Sequence, residues 1–309
     1  MNDEARFFKN QGDLSNLESV FAFMPLIPNL PVKAGYRPQA EDTSIEVDVF
    51  YFTALRQKLP HWRTERFISF NQSTRRLCLA AIQNQNPGAS IPLEYVRRRL
   101  GENWCRCVSL PERDVMVADP IALARKVIDI LDALDIAYYI GGSVASSLLG
   151  ESRYTEDLDL IIGLDSVKAK PLLDAFLDGS FYISDRAVED AVRGRCLSFN
   201  VLDYETLEKA DLFVSQDTAF ARRKMERRIQ HPLPDGSVLW ISSPEDIVLQ
   251  KLVWGRGRQS EKQWRDVLGV LKLQGDRLDF TYLWHWGIEL GILDILDQAF
   301  REAGLGDQG

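Results

Sequence analysis

The segment DLDLIIG, residues 157–163, sets two carboxylates, Asp157 and Asp159, among apolar residues. An ionised carboxylate is costly to bury unless it is paired, hydrogen-bonded or bound to a cation. Side chains two apart on a strand share a face, so Asp157 and Asp159 project together while Leu158, Leu160 and Ile162 turn to the other side. Adjacent carboxylates repel until a cation sits between them, which is the arrangement that holds Mg²⁺ for phosphoryl chemistry. Asp-x-Asp alone is a common pattern and specifies little.

Gly141-Gly142-Ser143 lies thirteen residues upstream, at the end of the apolar run AYYI. Strand, double glycine and helix make a geometry in which the backbone approaches a ligand closely and free helix N-terminal N–H groups face an anion. Ser143 is either the cap of that helix or part of a phosphate cradle, and the roles are compatible.

These residues need a scaffold, and the chain supplies an alternating one. Asp119-Pro120 opens a helix whose apolar face is Ile121, Val127, Ile128, Leu131 and Leu134. There follow a strand at AYYI, a helix from about Ser143 to Leu149, the strand DLDLIIG and a helix through VKAKPLLDAFLDG. Strands at RCLSFNVLD and KADLFVS come next, and the turn Pro234-Asp235-Gly236 predicts a hairpin into SVLWIS. After Ser243-Pro244-Glu245-Asp246 the remainder reads as helices. The expected fold is α/β, in the α+β sense: a mixed sheet flanked by helices, with a helical C-terminal half. Ahead of it, residues 1–42 read as an extended or partly disordered lead-in, 43–108 as a small helical module and 109–117 as a linker.

Gly-Gly-Ser, the thirteen-residue gap and Asp-hydrophobic-Asp-hydrophobic together resemble the signature of the DNA polymerase beta type nucleotidyltransferase superfamily. The resemblance implies a nucleotidyltransferase domain over 118–309, an NTP substrate, two Mg²⁺ ions and a third carboxylate on a neighbouring strand. Asp203 and Asp211 are the candidates for it. Asp211 is preferred because it starts an apolar strand as Asp157 does, in a stretch like the family's hairpin ending Asp-Leu-Phe-Val. Asp157, Asp159 and Asp211 are then the catalytic and metal-binding set. The cofactor-binding set is Gly141, Gly142, Ser143, Arg153, Thr155, Lys251, Arg258 and Asp266. Arg153 and Thr155 match the family's Arg-x-Thr-x-Asp approach, although Arg153 has Glu151 and Glu156 as possible partners. The stretch from Ser242 to Leu283 is similar to the helical half of the AbiEii toxin-like branch, with Lys251, Arg265 and Asp266 at the matching places. That branch implies RNA, particularly tRNA ends, as acceptor and a toxin role with a cognate antitoxin as partner. Aminoglycoside-type small molecules, proteins, or a non-catalytic binding role are the alternatives. The helical module is similar to a segment of bacterial, notably cyanobacterial, proteins of unassigned role and brings no chemistry.

Lys251 sits among Ile247, Val248, Leu252 and Trp254 and either snorkels over apolar surface or reaches a triphosphate. Arg256 and Arg258 either clamp phosphate or are solvated. The run RRKMERR, Arg222 to Arg228, is either a solvated helix face or a docking place for RNA phosphates. A net charge of −8 argues against a surface that coats nucleic acid and leaves room for a local basic patch. Four scattered cysteines and three histidines lack zinc-site spacing. With no apolar run long enough to span a bilayer and no leader-like N-terminus, a cytoplasmic protein without membrane contact is expected.

Overall fold

The computed structural model describes residues 32–88, 90–107, 115–177, 180–256 and 260–306. Most of the expected lead-in and of the linker falls outside them. Among the described residues four helices come first: α1 (Ile45–Arg56), α2 (Pro60–Gln85), α3 (Ile91–Leu100) and α4 (Glu102–Cys107). These helices fall within the expected helical stretch 43–108, of which residue 108 lies outside the described residues, and Gly101, at φ +93°, divides the last of it in two. Next come α5 (Pro120–Ala133), β1 (Tyr138–Ile140), α6 (Gly142–Leu149), β2 (Leu158–Ile162) and α7 (Ser166–Leu177). They are followed by β3 (Phe181–Ile183), α8 (Asp185–Val192), β4 (Ser198–Asp203), β5 (Lys209–Val214) and α9 (Ala219–Glu226). The hairpin strands β6 (Ile229–Pro232) and β7 (Val238–Ile241) precede α10 (Pro244–Trp254), α11 (Glu261–Gln274), α12 (Phe280–Glu289) and α13 (Leu293–Glu302). No described helix is long and apolar enough to cross a membrane.

The strands form one mixed sheet in the order β3-β4-β5-β2-β1-β7-β6. β1 and β2 are antiparallel, whereas β2 and β5 are parallel with Asp159 opposite Asp211. On these central strands Leu158, Leu160, Ile162, Ala210 and Leu212 are buried. Asp159, Ile161, Asp211 and Phe213 occupy the opposite face. Helix starts follow local chemistry: the Asp119 carboxylate accepts from the N–H groups of Ile121 and Ala122, and Ser243 accepts from that of Asp246. Helix α6 crosses α11 where Gly150 meets Gly269 and Val270; a Cβ on Gly150 would lie 2.7 Å from the Val270 nitrogen.

Strand β3 and helix α8, between residues 181 and 192, had no counterpart in the sequence reading. Three residues is too short a run for period-2 alternation to register.

The N-terminal helices share buried contacts with the rest. Phe67 of α2 is fully buried within the main core cluster. Lys272 of α11 is 1% exposed, lies 2.8 Å from Asp48 Oδ2 and faces the rings of Tyr36 and Phe52. Tyr36 donates its hydroxyl to the same carboxylate at 2.6 Å. Deleting one partner of a buried ion pair strands the other without water. Asp48→Ala is therefore expected to lower the unfolding free energy by about 3–5 kcal/mol in urea titration. Adding Lys272→Met should recover most of that loss. A polypeptide beginning at Val115, which lacks Asp48 and Phe67, is expected to lose cooperative unfolding. An unchanged midpoint for it would show that the helical segment docks on a domain that folds alone.

Candidate functional site

Asp159 is built into the sheet by its backbone. Its carbonyl accepts from the Gly141 N–H at 2.9 Å, which draws the glycine turn across the end of β2. Gly142 adopts φ +53°, the left-handed region that favours glycine, and a Cβ there would lie 2.6 Å from Asp159 Cγ. The carboxylate thus rests against bare backbone at the start of α6. Helix α6 has no side-chain cap, so the N–H groups of its first turn are left for a ligand.

Three carboxylates converge here. Asp157, just ahead of β2, is exposed, Asp211 is largely buried, and Asp159 lies between them on the shared face. Asn200, opposite Asp211 on β4, donates to Asp211 Oδ1 at 2.5 Å. Lys209 Nζ lies 3.0 Å from Asp211 Oδ2 and 3.9 Å from Asp157 Oδ1. The Asp159 carboxylate has no hydrogen-bond or ion-pair partner among the described residues. Burial, then the charges of Asp211 and Asp157, push its carboxyl up to about 6, against the opposing pull of Lys251 and Lys209.

These donors suit a hard divalent cation: all are carboxylate oxygens, one carboxylate is unpartnered, and the Lys209 ammonium stands where a positive charge is needed. They do not form a closed cage. Among the described residues no three His, Cys, Asp or Glu side chains are spaced as a ready metal centre.

A second cluster adjoins the first through Ser143. Arg153 grips Asp266 with Nε and Nη2 at 2.7 and 2.8 Å, and its Nη2 also donates to Ser143 Oγ at 2.7 Å. Lys251 Nζ reaches the same carboxylate at 2.8 Å. Burial pushes the Asp266 carboxyl up, but the bonds and charges of Arg153 and Lys251 outweigh it and hold it below its ordinary value. Two cations on one anion leave a net positive charge beside the uncapped end of α6.

The structure thus brings together Gly142, Ser143, Arg153, Lys251, Asp266 and the three carboxylates. Several sequence expectations change. Ser143 is not the cap of its helix; its hydroxyl accepts from Arg153. Lys251 does not snorkel, since it is 5% exposed and ion-paired. Arg153 pairs with Asp266 rather than Glu151 or Glu156, because Arg265 takes Glu151 with two bonds of 3.0 Å. The Gly141 N–H is spent within the sheet. Thr155 is buried, donates its N–H to Asn71 Oδ1 at 3.1 Å and holds the approach to Asp157. Asp203 is buried at the far end of β4, bonded to Lys126 and Thr206. Arg256 is exposed beside Gly291, and Arg258 lies outside the described residues.

The basic run is no free patch. Arg222 pairs with Asp217, and Arg223 with Glu226 at 3.0 Å. Arg227 pairs with Glu245 at 3.2 Å and covers the Tyr282 ring, while Arg228 lies over Trp240. Lys209 and Asn200 were not among the sequence candidates. Lys209 was within reach of strand parity, being two residues before Asp211.

No family model and no curated protein matches the chain. Among solved structures, an antigenic nucleotidyltransferase-like protein from Paracoccidioides brasiliensis is 22% identical, covering 57% of this chain and 90% of that one at a TM-score of 0.36. ANT(2″)-Ia in complex with adenylyl-2″-tobramycin is 14% identical over 55% of this chain and 96% of that one, TM-score 0.38. A tRNA-processing enzyme in an apo form is 14% identical over 62% of this chain and 60% of its own, TM-score 0.25. Overlaps this loose assign no residue and no substrate.

A carboxyl that titrates near 4 in an unfolded chain and near 6 in the fold costs stability when it ionises. Between those pH values the folded protein binds more protons than the unfolded chain, so stability falls as pH rises through about 6, the value for Asp159. In metal-free buffer, Asp159→Asn is expected to stabilise the protein at pH 8 by about 2 kcal/mol. At pH 4 the difference should vanish. Denaturant titrations at both pH values measure it, and equal gains at both would place the effect elsewhere.

Proposed function

We propose that this protein is a nucleotidyltransferase that moves a nucleoside monophosphate from an NTP to a hydroxyl acceptor. One observation carries the reading: left-handed Gly142 packs against Asp159, so an uncapped helix N-terminus meets the carboxylates Asp157, Asp159 and Asp211. An anion cradle and a cation site side by side are what a metal-chelated triphosphate needs. Asp157, Asp159 and Asp211 are the residues that would hold Mg²⁺, two ions in this reading, and bound Mg²⁺ supplies charge neutralisation at the reacting phosphate.

The chain's own residues do the rest. The N–H groups of Gly142 and Ser143 hold the β and γ phosphates. Arg153 and Lys251, fixed by Asp266, add positive charge without moving. The acceptor oxygen attacks the α phosphorus, the bond to the β-phosphate oxygen breaks, and pyrophosphate departs. The hydroxyl proton passes to a carboxylate of the trio, Asp211 in this reading.

An RNA acceptor, in particular a tRNA end, with a toxin role and an antitoxin partner, is the reading that the AbiEii resemblance supports. A second reading has an observation of its own: the arginines from 222 to 228 are occupied by carboxylates and aromatic rings. That favours a small-molecule or protein hydroxyl over a polyanion.

The test incubates the protein and Mg²⁺ with each α-labelled NTP against total RNA, cell protein and aminoglycosides. Label should enter one fraction. The Asp157→Ala/Asp159→Ala double variant should lose at least about 10²–10³-fold in transfer. Its circular dichroism should be unchanged and its Mg²⁺-dependent NTP binding gone. Undiminished NTP affinity in that variant would remove the site. Nucleotide binding without label in any fraction would favour a non-catalytic binding protein.

A further inference from the structure

Phe213 lies two residues beyond Asp211, and Ile161 two beyond Asp159, so both continue the carboxylate face of the sheet. They floor a cleft of about 320 Å³ that has Gly141 and Gly142 among its lining residues and takes side chains from α9 and α10. That volume suits a small molecule.

The cleft has an aromatic side and a polar side. Phe213 and Trp254 stand with ring centroids 6.3 Å apart, and Phe220 also lines the space. At the polar side, Lys224 Nζ donates to Gln250 Oε1 at 2.5 Å and lies 4.7 Å from the centre of the Phe220 ring. No carboxylate lies within ion-pair distance of Lys224 among the described residues. The neighbouring acid, Asp246, is fully buried and accepts instead from Ser243 Oγ at 2.8 Å and Tyr282 Oη at 2.7 Å. Burial lowers the affinity of Lys224 for its proton, and Asp246 opposes that from a distance. Gln250 Oε1 takes one hydrogen bond from Lys224 and keeps a second lone pair, while its Nε2 hydrogens have no partner among the described residues. This edge is therefore rich in donors: the Lys224 ammonium, which cannot accept, and the Gln250 Nε2 hydrogens beside it. Ser215, Gln216, Thr218 and Ser242 complete the polar lining; each can donate or accept and does not discriminate.

We infer that the cleft holds the base of the nucleotide, its plane against Phe213, Trp254 and Phe220 and its polar edge against Lys224 and Gln250. The inference rests on the nucleotidyl-transfer reading and adds a specificity to it. Two adjacent donors call for two adjacent acceptors, which guanine supplies as O6 and N7 and cytosine as O2 and N3. Adenine would turn its N6 amino donor against an ammonium already short of partners. A free anion would satisfy Lys224 and leave the aromatic side bare. The cleft reaches Gly142, so a base seated here keeps its phosphates at the turn.

Calorimetric titration of the full chain with ATP, GTP, CTP and UTP in Mg²⁺, alongside inorganic tripolyphosphate, tests the assignment. GTP or CTP should bind about tenfold or more tightly than ATP, and their separate titrations tell the two acceptor edges apart. Lys224→Met should bring that ratio to within about twofold while tripolyphosphate binds as before. Gln250→Glu, which places an acceptor at the same edge, should move the preference toward ATP. Should Lys224→Met fail to fold, Gln250→Glu decides alone. A preference for ATP in the parent, or a ranking that neither substitution alters, overturns the base assignment and leaves the phosphate site standing. Failure of all four nucleotides and tripolyphosphate to bind overturns the nucleotidyl-transfer reading and this inference with it.

Discussion

The carboxylate of Asp159 lies against the backbone of Gly142, and much of the site's geometry follows from that contact. Only a residue without a Cβ fits there, both because φ is +53° and because the space is taken by the carboxylate. The same turn ties β1 to β2 through the Gly141 N–H and starts α6 with its first N–H groups unspent. A side chain at position 142 would separate the anion-binding end from the carboxylates or push Asp159 off its neighbour Asp211. Sheet register does the second half of the work. Because β2 and β5 are parallel and paired residue for residue, Asp159 and Asp211 share a face without any loop having to bring them together.

Charge is zoned around this contact. On one side, Asp157 and Asp211 share Lys209, Asn200 donates to Asp211, and the Asp159 carboxylate between them has no partner among the described residues. On the other, Arg153 and Lys251 share one carboxylate, Asp266. Neither zone is neutral, and each has the sign that attracts the other half of a metal–triphosphate complex. At an effective dielectric of about 20, two unit charges 4 Å apart interact by about 4 kcal/mol. Repulsion among these carboxylates adds to burial in holding the Asp159 carboxyl above its ordinary value. Lys209 offsets some of it, and a desolvated Asp159 that resists ionising offsets more. This is strain of the kind that binding relieves, and it explains why a site of this composition is poor for stability and suited to a cation.

The sequence made the scaffold legible where signals are local. Strand parity placed Asp157 and Asp159 on one side, Asp119-Pro120 and Ser243-Pro244 marked helix starts, and Pro234-Asp235-Gly236 marked the hairpin. Asp211 beside Asp159 needed one further fact, that the two strands pair. What stayed hidden depends on long-range partners. Arg153 finds Asp266 across 113 residues, and Lys272 finds Asp48 across 224. No spacing rule announces such pairs. The arginine run stayed open between a solvated face and a phosphate patch because its density was visible and its neutralising partners were not: Glu245 and Asp279 reach Arg227 from other elements. Lys209 is the instructive miss. The parity that singled out two aspartates applies equally to a lysine two residues from a third.

The helical segment before residue 108 contributes none of the carboxylates, yet it touches the site at a telling place. Asn71, fully buried on α2, accepts from the Thr155 N–H and donates to the Phe67 carbonyl at 2.9 Å, so its amide is fixed at both ends. Arg99 of α3 bonds the Glu156 carbonyl. The same arginine and Arg75 meet at Glu208, the residue just ahead of β5. Two successive backbone groups are thereby held immediately before Asp157, and the strand bearing Asp211 is held at its entry. Free carboxylates in a mutually repelling set would move apart if their backbones allowed it. The buried arginines and Asn71 deny that freedom on the one side where neither β2 nor α6 can. Asp157 is then the first residue of the approach whose side chain is left to solvent, exposed but carried on an immobilised chain. A segment without catalytic groups of its own can in this way set the spacing between Asp157 and Asp211, through Glu156 and Glu208 rather than through the carboxylates themselves.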